Sequence, residues 1–215
     1  TGGEGASTQT DNGGDGGSVM IAGGGSLGLN PIDKAGDVVL DGGKAYAGPG
    51  GDIRLTSGAS TMASSGSLLV ETTGAGAAGV SGDIILRTGT SSKGDTGSID
   101  INTGKATSGA GGYISVVVGE GNSGDGGNVE IKAGQTNDVA AAPGGYVLVQ
   151  TGQSQSSSSG KMALLTANAG MFGSSGQIVV ASGTSSAGNT GAIHVDTGNA
   201  LAGRGGEIQV QVGSG

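Results

Sequence analysis

The residues with the clearest chemical potential are one histidine and a scatter of carboxylates. His194 is the single histidine of the 215-residue chain, and Asp196 follows it two residues later. A catalytic histidine needs a nucleophile within reach and an acid that orients it. On an extended strand His194 and Asp196 would share one face and could form a surface ion pair. The sequence therefore predicts no catalytic site and no enzyme.

The carboxylates are dispersed along the chain, whereas a glycosidase brings two of them within about 5–10 Å on one face. Asp37 and Asp52 each stand just after a glycine, 15 residues apart. If those positions stack, two like charges meet unless a cation lies between them. Asp37 and Asp52 are therefore candidate calcium ligands, and solvated turn acids are the alternative. No cofactor is predicted.

A periodic motif dominates the rest of the chain and occurs thirteen times. It reads glycine, any residue, branched apolar, any residue, branched apolar, any residue, small residue, glycine, as in residues 97–104. We call the first glycine the boundary glycine and number each repeat from the residue after it. Eight of the twelve complete repeats have 15 residues, two have 16, one has 18 and one has 19. The boundary glycines are Gly17, Gly36, Gly51, Gly66, Gly82, Gly97, Gly112, Gly127, Gly145, Gly160, Gly176, Gly191 and Gly206.

Positions two and four of every repeat are aliphatic or Met, and we call them the aliphatic columns. Strict alternation with many β-branched residues is typical of a half-buried strand. In a helix, positions two and four would lie about 200° apart, so a helix cannot explain them. Position six is mostly small, and a glycine usually follows at position seven, the turn glycine, where we expect a left-handed turn. The remaining residues, the return, are small and polar.

These features predict an all-β fold, a single-chain β-solenoid (β-helix) of about 13 rungs. It would be flattened, with one aliphatic wall and one wall of glycine, serine and alanine. In-register stacking would pair the backbone groups of each rung with its neighbours about 4.8 Å away. We assign residues 1–17 to a glycine-rich leading segment with a partial rung, whose positions six and seven would be Thr1 and Gly2. Residues 18–215 form the repeat domain, which we expect to be a segment of a larger polypeptide.

Position three faces outward and is apolar in seven repeats, although a strand face open to water should be polar. Two inserted loops, at 29–32 and 139–143, lengthen the returns of two repeats. We predict contacts with other chains there, and exposed aliphatic residues on a rigid sheet are the alternative. The predicted interface residues are Met20, Val39, Leu69, Ile85, Leu148, Ala163, Val179, Ile32 and Val139.

Composition limits the partners further. The formal net charge is −8 with nine Lys and Arg, and no two basic residues are adjacent, which argues against nucleic-acid binding. No apolar run approaches the 18 residues of a membrane span, so no membrane insertion is predicted.

Ser and Thr are abundant in the sequence and would accept O-linked glycans. Threonine recurs at the inward position six, whereas an ice-binding face would need it outside.

Residues 82–92 and 97–104 resemble the glycine-rich repeats of heterokont (algal and oomycete) proteins, the sexually induced and mastigoneme-associated families. The likeness extends over residues 18–213. It implies an extracellular filament or a flagellar-hair component, and it carries over no functional residues. We therefore expect a structural building block of an extracellular filament that associates with other copies or other chains. An adhesin stalk or an ice-binding solenoid is the alternative.

Overall fold

A computed structural model describes residues 2–3, 14–138 and 142–214. These residues contain neither helix nor strand, so no paired β-ladder is present in the described part. The chain divides into two structural units, Thr1–Gly112 and Tyr113–Gly215, and the boundary falls at a boundary glycine. The single-chain solenoid stays a prediction.

In three of the described motifs, side chains two residues apart lie close together, as the predicted alternation requires. Lys132 Nζ lies 2.7 Å from Glu130 Oε1, and Arg54 lies 3.9 Å from Asp52. Ser98 donates a 3.5 Å hydrogen bond to Asp100. Each of these pairs joins residues two apart at positions one, three or five. Side chains two apart meet only when the backbone is extended, so these odd positions share one face and the aliphatic columns share the other.

A backbone hydrogen bond joins the two ends of six of the described returns, and we call these returns closed. The boundary glycine donates a backbone hydrogen bond to the preceding turn glycine, as in Gly51 N to Gly43 O at 2.8 Å. In Thr1–Gly112 the same bond joins Gly17 to Gly3, Gly36 to Gly24 and Gly66 to Gly58. In Tyr113–Gly215 it joins Gly145 to Gly134 and Gly160 to Gly152. The two longest returns, which end at Gly36 and Gly145, are closed by the same bond.

The returns bend at fixed places because short side chains accept backbone hydrogen bonds. At position nine, Ser60, Ser91, Ser154 and Ser185 accept bonds from the amide three residues later, at 2.9–3.1 Å. The two 16-residue repeats instead contain tight turns, Gly79 N to Gly76 O at 3.2 Å and Gly173 N to Gly170 O at 3.3 Å. Serine hydroxyls that bond nearby amides favour turns over ladders.

Two expectations about glycine are wrong. Gly124, at position twelve, has a φ of 79° and is the one described glycine in the left-handed region, so the turn glycines at position seven do not use it. The turn-glycine carbonyl accepts the closing hydrogen bond, and the turn glycine needs no left-handed backbone to do so. The bond from Gly17 to Gly3 also makes Gly3 the turn glycine of the leading segment. Its positions six and seven are therefore Gly2 and Gly3, one residue later than predicted.

The described residues form no buried core. None of them is buried, and Thr88, Thr151 and Ser154 are the three with intermediate exposure. The accessible surface of the chain is 21532 Å² for a mass of 20.0 kDa. A folded monomer of this mass exposes roughly 8,700 Å² and an unfolded chain about 29,000 Å². The motifs therefore stand open to solvent along their aliphatic faces.

Candidate interaction surface

The aliphatic columns form the largest apolar surface of the chain. Position two is exposed by 47–63% and position four by 59–91% across the thirteen repeats. Position two is the more shielded of the two, because it lies nearer the closed end of the preceding return. Monomeric soluble proteins rarely expose contiguous apolar patches larger than a few hundred Å². The two columns are therefore the first candidates for contact with a partner.

The predicted interface residues lie on the opposite face of the motif and are also exposed. The six position-three residues Met20, Val39, Leu69, Ile85, Leu148 and Val179 are between 67% and 89% exposed. Ala163 is exposed as well, and Val139 lies outside the described residues. Ile32 sits in the first inserted loop, where Asp33 N donates to Asn30 O at 2.9 Å and holds a turn. The structure brings these residues to no common site, and their role stays a prediction.

The interface predicted from the sequence leaves out the aliphatic columns themselves. The predicted solenoid covers the aliphatic columns by stacking the rungs of one chain. In the structure the side chains of both columns are exposed. The signal that could have revealed this is the composition of the return. A return of glycine, serine and alanine has few apolar groups with which to cover a neighbouring aliphatic face.

The two candidate calcium ligands are each matched by a nearby cation. Lys34 Nζ lies 3.0 Å from Asp37 Oδ2, and Arg54 lies 3.9 Å from Asp52 Oδ2. All four side chains are largely exposed, so each ion pair contributes little stability. In the part of the chain that the structure describes, no three His, Cys, Asp or Glu side chains are grouped as metal ligands would be.

The predicted surface ion pair between His194 and Asp196 is the next candidate. His194 and Asp196 form no ion pair in the described segments, where the three ion pairs are those of Lys34, Arg54 and Lys132. No pocket is found around the described residues. Residues 2–3, 14–138 and 142–214 also include no helix long and apolar enough to cross a bilayer.

The closing bond occurs with several residue types at position six. With glycine at this position, as in Gly23 and Gly42, the closing bond measures 2.8 Å. It measures 2.8 Å with Ser57, 2.9 Å with Ala133 and 3.0 Å with Thr151. The other described repeats, most of them with threonine, lack the bond. The bond is therefore more frequent with glycine or alanine at position six than with threonine, although Thr151 permits it and the repeat with Ser182 lacks it.

At some boundary glycines a Cβ would press against the position-six side chain of the preceding motif. A Cβ on Gly112 would lie 3.4 Å from Thr103 Cγ2, and one on Gly176 would lie 3.3 Å from Thr166 Cγ2. A Cβ on Gly127 would clash with Val118 Cγ1 at 2.6 Å. At the turn glycines Gly104 and Gly119 a Cβ would meet nothing within 4 Å. Steric contact therefore restricts the boundary glycine more than the turn glycine.

No protein-family model, curated protein sequence or solved structure matches this chain. The resemblance to heterokont glycine-rich repeats stays a prediction.

Proposed function

We propose that this chain is a structural building block of an extracellular filament or appendage, in which the repeated motifs stack as rungs of a β-solenoid. The observation that carries the proposal is the pair of exposed aliphatic columns, which run through all thirteen repeats. Its action would be mechanical, because association buries the columns and satisfies the open backbone groups of the motifs. No chemical step is required.

The uniformity of the repeats supports a role in stacking. Every motif presents the same two columns with the same spacing, whatever the length of the return that follows it. Rungs that carry identical columns form ladders of like side chains, as in cross-β packing. Burial of one such side chain contributes about 1.5–3 kcal/mol, so the gain grows with each rung that joins.

The unpaired backbone of the motif supports the same proposal. The described residues contain no strand, and we propose that the amide and carbonyl groups of the motifs pair when the motifs associate. Open strand edges are the usual template for association between chains. An extracellular location is part of the proposal and rests on the resemblance of the repeats.

Electron microscopy of the purified chain, together with sedimentation, tests the proposal. We expect filaments from the natural chain. The variant with both Ile99→Asp and Ile101→Asp should not form them, because it places two charges in the columns of one repeat. A matched control carries Asp100→Ser on the opposite face of the same motif and should form filaments normally. A natural chain that stays monomeric at all concentrations would exclude a filament function.

A further inference from the structure

We draw no further inference here: the strongest candidate, the exposed surface formed by the aliphatic columns at positions two and four, belongs to the site on which the proposed function already rests, and nothing in the described part of the structure shows what covers it.

Discussion

At the scale of single residues, position six and the boundary glycine act as a pair. The bond from the boundary amide to the turn-glycine carbonyl is more frequent with glycine or alanine at position six than with threonine. The sequence predicts the small residue and the glycines, but it places the glycine requirement at the turn. Glycine permits a left-handed turn without demanding one, so only the packing of Thr103 against Gly112 reveals which glycine is constrained.

Replacement at position six should open one return. In Gly42→Thr the added side chain would clash with the Gly51 carbonyl, so the Gly51 to Gly43 hydrogen bond should break. A hydrogen bond contributes about 1 kcal/mol, so amide exchange at Gly51 should quicken roughly fivefold. NMR-detected hydrogen exchange measures this.

Gly48→Ala is the matched control, because a Cβ there would meet no atom within 4 Å. The control should leave exchange at Gly51 unchanged. Equal exchange rates at Gly51 in the natural chain and in Gly42→Thr would show that position six does not control the closure.

At the scale of elements, the motif and the return differ in how far the sequence determines them. The two aliphatic columns predict the alternation of the motif, and the contact between Glu130 and Lys132, two residues apart, agrees with it. The path of the return could not be predicted, because a small, polar, glycine-rich segment can either span a strand or close on itself. The choice depends on contacts between its ends, and the Gly36 to Gly24 bond shows closure even in a long return.

The first inserted loop should be separable from the motif that precedes it. We propose to replace residues 25–35 by residues 44–50, the return of the next repeat. Because both returns close with a 2.8 Å bond, protection of the Gly36 amide should persist in the chimera. If the inserted loop makes lateral contacts, the chimera should form single filaments that fail to bundle, as seen by electron microscopy.

Bundles of normal width in the chimera would remove Ile32 and its loop from the predicted interface. Loss of Gly36 protection would instead show that the longer return has a part in closing the repeat. An exchange of residues 44–50 for residues 59–65, two returns of equal length, controls for the grafting itself.

At the scale of the whole molecule, the repeat gives an open apolar surface on a negatively charged chain. The columns favour association, and the net charge of −8 opposes it. The thirteen motifs and their regular period could be predicted from the sequence. The sequence does not predict whether a motif stacks on another motif of the same chain or on a motif of a different chain. Identical columns stack equally well in both arrangements.

Salt should therefore promote assembly. An increase from about 0.01 M to about 0.1 M ionic strength shortens the Debye length from about 30 Å to about 10 Å and screens repulsion between copies. Attraction between opposite charges is screened too, but the repulsion that arises from the net charge of −8 is larger. We expect the lowest chain concentration that forms filaments, measured by sedimentation, to fall several-fold. A rise with salt would show that ionic attraction, and not apolar burial, drives association.

Fibre diffraction from aligned filaments of the natural chain tests most directly whether the motifs stack through their aliphatic columns. Stacked motifs give a strong reflection at about 4.7–4.8 Å, the spacing of hydrogen-bonded strands. The Ile99→Asp and Ile101→Asp double variant should yield no such filaments under the same conditions. Filaments of the natural chain without this reflection would contradict stacking of the motifs.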